Sequence, residues 1–428
     1  MKAAFYTLGC KVNQYESEAM AEQLMKNNFE IVSHTEEADV FIVNSCTVTA
    51  SSDQKTRQAV RRFKKNNPDA CVVLTGCMPQ AYPENSESLV EADIVIGNKN
   101  NDTLIRVLNE FFAKKERLVN IELHKNGDPF RGTLISDFQN RTRAFLKIQD
   151  GCNRFCTYCI IPTSRGRSRS KPLEDIRKEL DSIAEKGYKE VVLVGINLSS
   201  YGKDIGEKFT DAVKLACNTK GIERVRLGSL EPDHITDEVI EELSKLDNFC
   251  PQFHISLQSG CNNTLKRMNR HYIAEEYYEL CEKLRSTFED ATITTDIMVG
   301  FSLESEEDFE ESLEFAKKIA FEKVHVFPYS VRKGTKAEKL PQLEKKVKEE
   351  RAKKMTAVCE EIRQKYLKNQ VGKTLEVLIE TTNKDGYYEG YTKNYTPVLV
   401  KCPEDNCSEI IKVKITAVDG DYCIGELC

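Results

Sequence analysis

The chain has 428 residues, of which 30% are charged and 40% hydrophobic, and a formal net charge of −6 at pH 7. That length exceeds one ordinary core and suggests about two to four domains, no apolar run approaches the roughly 18 residues of a membrane helix, and the acidic balance argues against coating nucleic acid through bulk charge. The N-terminal stretch MKAAFYTLGCKVNQYESEAM carries no signal-cleavage pattern, so a cytoplasmic protein without a membrane partner is expected, and its 16 cysteines should be buried thiols or metal ligands rather than disulfides.

Residues 1–112 alternate apolar runs (AAFYTL, DVFIVN, CVVLT, ADIVIG) with amphipathic stretches such as ESEAMAEQLMKN, which predicts a small parallel α/β domain. Residues 113–140, with KNGDPFRG, read as a linker. Residues 141–342 hold six further runs (RAFLKIQ, EVVLVGIN, RVRLGSL, FHISLQS, TITTDIMVGF, KVHVFPYS) alternating with helical segments. Six such units predict a partial (β/α)6 barrel with its chemistry at the C-terminal strand ends. Residues 343–369 are dense in Lys, Glu and Arg at helical spacing, which reads as a solvated connecting helix. Residues 370–428 carry short β-like runs around Gly- and Tyr-rich turns, and a small all-β module is expected there. The fold class expected is therefore α/β: a parallel α/β domain, a partial barrel, and an all-β module.

Two sets of cysteines stand out. Cys152, Cys156 and Cys159, in DGCNRFCTYCIIP, form a C-x3-C-x2-C run directly after a predicted strand. Three thiolates can hold three irons of a four-iron cluster and leave the fourth open to a ligand, whereas a zinc loop would want a fourth protein ligand. Cys10 in TLGCKVNQ, Cys46 in VNSCTVT and Cys77 in LTGCMPQ each come just after a predicted strand, and in a parallel sheet those ends share one edge. One such cysteine is ordinarily a small core residue; three in equivalent places point to convergence. Cys71 begins its strand instead and reads as inert, as do Cys217, Cys250, Cys261, Cys281 and Cys359. Cys402, Cys407, Cys423 and Cys428 form two C-x4-C pairs, for which zinc binding and plain burial both stay open.

With these motifs together, the chain resembles the radical-SAM methylthiotransferases over essentially its whole length, and TLGCKVNQYESEAM is most similar to the branch that modifies the threonylcarbamoylated adenosine next to the tRNA anticodon. The resemblance implies two 4Fe-4S clusters, one on Cys10, Cys46 and Cys77 and one on Cys152, Cys156 and Cys159. It also implies S-adenosyl-L-methionine with its adenine near Tyr158 and its polar parts near Asn197 and Ser229, and a C-terminal TRAM-like module that meets RNA. The partners it implies are the tRNA anticodon stem-loop and a cytosolic flavodoxin- or ferredoxin-like electron donor. SLES at 302–305 departs from the Pro-Gly-Glu-Thr common in that family, so the local turn should differ.

From Lys373 to the last residue there are ten acidic residues against six lysines, so that module attracts phosphate weakly and its Tyr387, Tyr388, Tyr391 and Tyr395 are stacking candidates instead. Two basic runs are alternatives: Lys55, Arg57, Arg61, Arg62, Lys64 and Lys65 on one predicted helix, and Arg165, Arg167, Arg169 and Lys171 just after the cysteine loop. The second lies beside the expected active site and is the favoured RNA contact. Rival functions are the same chemistry on isopentenyladenosine or on a ribosomal-protein aspartate, a non-catalytic RNA-binding protein with structural metal, and an electron-transfer protein. The last needs four protein ligands to each cluster.

Overall fold

The computed structural model describes residues 1–132, 135, 142–382, 386–401 and 407–428. Near-continuous apolar runs, the mark of strands buried on both faces, build a six-stranded parallel sheet. Its strands are β1 (Lys2–Thr7), β2 (Glu30–Val32), β3 (Val40–Ser45), β4 (Cys71–Gly76), β5 (Ile94–Ile96) and β6 (Leu118–Asn120), in the order β2-β1-β3-β4-β5-β6. One core lies on each face, the first under helices Lys11–Lys26 and Leu104–Lys114 and the second under Ala50–Asn66. The order reverses between β1 and β3, so the ends of β1, β3 and β4 lie side by side at a topological switch point. Strands β2 and β6 are additions to the four expected. They are three-residue edge strands too short to show a period, and β6 lies within the 113–140 stretch read as a linker.

Strand β7 (Arg143–Lys147) opens the partial barrel and is followed by a two-stranded ribbon, β8 (Gln149–Asp150) with β9 (Arg169–Ser170). The ribbon frames the cysteine loop. The barrel continues through β10 (Glu190–Val194), β11 (Arg224–Leu227), β12 (Ser229–Leu230), β13 (Gln252–Ile255), β14 (Thr292–Val299) and β15 (Lys323–Pro328). These strands pair in parallel as β11-β10-β7 and β12-β13-β14-β15, and a bridge from Val225 to Phe249 links the two groups. Helix 306–319 is started by Ser305, whose Oγ accepts from Asp308 N at 3.1 Å while the Asp308 carboxylate caps the Ser305 amide, a reciprocal capping box. In the SLES turn Leu303 takes φ +62 and is 51% exposed.

The helix Lys345–Lys368 is not the solvated rod expected. Lys348, Arg351, Met355, Cys359, Arg363 and Leu367 are buried at mostly i, i+4 spacing; Met355 and Cys359 join the barrel core, and Leu367 enters the core of the C-terminal module. The stripe was masked because half its members are cationic: Arg351 lies inside against Glu304 at 2.7 Å, and Arg363 against Asp421 at 2.9 Å. Strands β16 (Thr374–Thr382), β17 (Tyr387–Thr392), β18 (Pro397–Lys401), β19 (Ile410–Asp419) and β20 (Tyr422–Leu427) then close a five-stranded barrel in the order β16-β17-β18-β20-β19. Cys423 is fully buried in it, with its thiol toward the Leu367 carbonyl at 3.8 Å, so it is core rather than an open metal ligand; Cys402 lies outside the described residues.

Candidate active site

The N-terminal cysteines come together because the backbone turns sharply after each strand. Gly9 has φ +110, and a methyl group there would stand 2.9 Å from Cys46 Cβ and 3.3 Å from its Sγ, so only glycine lets the Cys10 turn pass over Cys46. Gly76, φ +96, would drive a methyl to within 2.5 Å of the Ser45 backbone. Cys77 then opens the short helix Cys77–Ala81, whose Met78 amide donates to Ser45 Oγ at 3.0 Å. The turns are cross-tied: Asn13 Nδ2 donates to Ser45 O and Asn44 Nδ2 to Asn13 O, both at 2.9 Å. Cys10 is exposed, while Cys46 and Cys77 are buried. Burial raises the Cys46 thiol and pushes Cys77 up to about 12, and the neighbouring Cys10 sulfur adds to the rise of both. Cys71, fully buried at the far end of β4, takes no part.

Cys152, Cys156 and Cys159 occupy the loop after β8. Its backbone is pinned by Cys152 N to Gly166 O at 3.1 Å and Thr157 N to Met268 O at 3.0 Å, and Phe155 is held at φ +52, a costly conformation for an aromatic residue. Donors already face the sulfurs: Arg154 N to Cys152 Sγ at 3.4 Å, Asn197 Nδ2 to the same sulfur at 3.7 Å, and Arg270 Nη1 to Cys156 Sγ at 3.3 Å. Burial pushes the Cys152 and Cys159 thiols up. A buried thiol is ionised readily only by a bound cation, so the donor set suits a soft metal centre ringed by hydrogen bonds to sulfur. The ligands of a four-iron cluster bind different irons and stand further apart than those of one ion. Among the described residues the three donors that converge within single-ion range are Cys261, Asp308 and Glu311, and there the Cys261 thiol and Arg267 already occupy the Asp308 carboxylate.

Of the expected cofactor contacts, Asn197 is buried beside Cys152, with its amide N donating to Gln149 Oε1 at 2.8 Å. Tyr158 packs edge-on to Phe301 at 6.2 Å in a small apolar cluster with Met298 and Tyr329. Ser229 is exposed at the start of β12.

Between the two cysteine sets lies a buried charge network that the sequence reading missed. Arg165, 1% exposed, donates to both carboxylate oxygens of Glu16 at 2.6 and 2.9 Å and to Asn13 Oδ1 at 3.0 Å, with Asp150 at 3.4 Å. Lys147 reaches Glu16 at 2.8 Å and Asp150 at 2.7 Å. Arg169 bonds the Arg165 and Arg167 carbonyls, and Lys171 pairs with Glu179. The expected RNA contact at Arg165, Arg167, Arg169 and Lys171 is therefore corrected: three of the four are buried structural cations, and Arg167 alone is exposed, lying over the Phe155 ring at 4.4 Å. The tyrosines fare similarly. Tyr388 is core, and Tyr391 stacks on Tyr395 at 4.5 Å with Arg143 lying 5.1 Å from each ring. On helix Ala50–Asn66, by contrast, Lys55, Arg61, Arg62 and Lys65 are exposed.

Among the described residues no helix is long and apolar enough to cross a membrane. Family models match the chain at residues 2–97 (Uncharacterized protein family UPF0004), 146–316 (Radical SAM superfamily) and 368–428 (TRAM domain). The chain is 36% identical over 430 residues to the threonylcarbamoyladenosine tRNA methylthiotransferase MtaB of Bacillus subtilis, covering 99% of this chain and 95% of that one. It is 39% identical over 390 residues to the Aquifex aeolicus MtaB, covering 90% and 94%, and 36% identical over 432 residues to a tRNA-2-methylthio-N(6)-dimethylallyladenosine synthase of Clostridium botulinum, covering 98% and 95%. Among solved structures, the radical S-adenosylmethionine methyltransferase TsrM of Kitasatospora setae shares the fold with a TM-score of 0.57 at 12% identity, over 76% of this chain and 72% of that one. With the thiol loop at the mouth of a partial barrel and relatives matched end to end, the chain belongs to the MtaB-type radical-SAM tRNA methylthiotransferase family.

Proposed function

We propose that this enzyme converts N6-threonylcarbamoyladenosine next to the tRNA anticodon into its 2-methylthio derivative. Cys152, Cys156 and Cys159 hold the cluster that binds S-adenosylmethionine, and Cys10, Cys46 and Cys77 hold a second cluster. The division of labour follows residues 1–112 for the second cluster, 141–342 for the radical-SAM barrel and 370–428 for the RNA-facing module, with a flavodoxin- or ferredoxin-like protein as electron donor.

The observation that carries this reading is that one ion-pair network, Glu16–Arg165–Asp150, runs from the helix that follows Cys10 to the residue pair just before the Cys152 loop. That buried tie across the junction of sheet and barrel supports a reading in which the two thiol trios work together. The target is an aromatic C–H that no side-chain base deprotonates; when bound, the loop cluster and S-adenosylmethionine supply the one-electron chemistry that breaks it. The chain's own residues do the positioning. Asn197 and Arg270 orient the loop sulfurs, Tyr158 offers an apolar edge for the cofactor's adenine, and Arg165 holds the two thiol-bearing segments in register. The exposed cations of helix Ala50–Asn66 are the best phosphate contacts, and that helix meets the barrel rim through Ala50 N to Ser330 Oγ at 2.9 Å.

Nucleoside mass spectrometry of tRNA from a deletion strain tests the substrate. Loss of the 2-methylthio form of threonylcarbamoyladenosine, restored by the gene on a plasmid, is expected. Loss of the dimethylallyl-derived form instead would transfer the enzyme to that substrate.

A further inference from the structure

The barrel lumen contains a cavity of about 320 Å³ that the chemistry above does not use. Sheet, barrel, the Lys345–Lys368 helix and the C-terminal module all contribute to its wall. From the barrel come His254, Thr294, Lys323 and His325; from the C-terminal module, Tyr395; and from the N-terminal sheet domain, a single side chain, Lys11. Lys11 directly follows Cys10, so the cavity abuts the first thiol trio.

Its charge balance is uneven. The carboxylates on the wall are already engaged: Glu322 accepts from Arg285 at 3.2 Å, and Asp421 from Arg363 at 2.9 Å. Asp296, just above, accepts from His254 Nε2 at 3.3 Å, and Glu190, near Lys11, is held by Arg226 at 2.8 Å. Among the described residues the ammonium groups of Lys11 and Lys323 have neither an ion pair nor a hydrogen bond. A half-buried Lys11 and an exposed Lys323, neither with a carboxylate partner, face a wall whose own carboxylates are engaged and whose remaining groups include hydroxyls, amides, imidazoles and phenols, a setting that complements a small polar anion.

We propose that this cavity is the subsite for a carboxylate-bearing substituent on the target base, with Lys11 and Lys323 as its cationic contacts. This rests on the reading that the base is threonylcarbamoyladenosine, whose N6 group ends in a carboxylate. C2 and C6, the carbon that bears N6, flank the same ring nitrogen of adenine, so a base whose C2 faces the Cys10 turn can send its N6 substituent past Lys11 into the lumen. A dimethylallyl group has no charge to set against the two lysines and would leave the half-buried Lys11 without an anionic partner.

The test uses the anaerobically reconstituted full chain and three anticodon stem-loop RNAs, carrying threonylcarbamoyladenosine, its methyl ester, or unmodified adenosine, with dissociation constants from fluorescence anisotropy. The wild type should bind the acid about tenfold or more tighter than the ester, as expected for a charged hydrogen-bond partner. Lys11→Met should bring acid and ester to parity, Lys323→Gln should narrow the gap, and Lys11→Arg should retain it. Iron content reports whether Lys11→Met still holds its clusters, and if it does not, Lys323→Gln, on β15, decides alone. Equal wild-type affinity for acid and ester, or a gap that survives the substitutions, overturns the subsite; a backbone phosphate as the true ligand would give that equality. If the wild type methylthiolates the threonylcarbamoyl RNA yet shows no acid preference, the subsite alone falls. If it acts only on a dimethylallyl RNA, the substrate reading falls with it.

Discussion

Replacing Arg165 with methionine keeps much of the side-chain volume and removes the charge that joins Glu16, Asn13 and Asp150. Breaking a buried ion pair by deleting one partner costs about 3–5 kcal/mol, because the remaining carboxylates are left in low dielectric. Here Lys147 still touches both Glu16 and Asp150, which puts the expected loss near the lower end, about 3 kcal/mol. Urea denaturation of the metal-free chain under reducing conditions at pH 7 measures it. The pH dependence supplies a second check. Burial would push the Glu16 carboxyl up, but Arg165 and Lys147 outweigh it and hold it below its ordinary value. A group depressed in the folded state stabilises above its unfolded value, about 4.3, and that contribution is lost as pH falls through the folded value. The gap between wild type and Arg165→Met should therefore be full at pH 7 and shrink below about pH 4. Adding Glu16→Gln to Arg165→Met should recover part of the loss, since the uncompensated charge is then gone. A loss under about 1 kcal/mol at pH 7, within the range of an exposed pair, would refute the reasoning.

Arg226 is fully buried against Glu190 and donates to the carbonyls of Thr392 and Lys393, so Arg226→Met should destabilise by about 3 kcal/mol and loosen the C-terminal barrel, read as faster proteolysis after residue 370. Met355→Ala opens a cavity where the charged helix meets the barrel core and should cost about 2–5 kcal/mol by denaturation. Cys71→Ala should leave iron content unchanged, since that thiol sits at the opposite end of β4 from Cys77; any loss of iron would place it in the metal site. Cys156→Ala should abolish 5′-deoxyadenosine formation on reduction with S-adenosylmethionine, measured by chromatography.

Period-2 and near-continuous apolar runs were legible wherever a strand is long enough to show them, which is why β1, β3, β4 and the barrel strands could be read in advance and the three-residue edges β2 and β6 could not. The cysteine spacing showed both trios, but the glycines that allow their turns carry no signal until the neighbouring strand is in place, as with Gly9 over Cys46. Charge was the misleading feature. Arg165, Arg169 and Lys171 follow a cysteine loop in sequence and look like an exposed basic run, yet their partners Glu16, Asp150 and Glu179 lie on other elements, Glu16 in a different domain. The helix 345–368 misled for the same reason, since a cation that meets a buried carboxylate reads as solvated until the fold supplies that partner. Tyr391 and Tyr395, candidates for stacking on RNA bases, pack on each other and on Arg143 at the junction with the barrel.

The most direct measurement is iron quantification with electron paramagnetic resonance on the reconstituted chain and on two triple alanine variants, one at Cys10, Cys46 and Cys77 and one at Cys152, Cys156 and Cys159. Two four-iron clusters predict about eight irons in the wild type and about four in each variant, with distinct reduced-cluster signals remaining. Wild-type protein with about four irons, unchanged by loss of the N-terminal trio, would contradict the account.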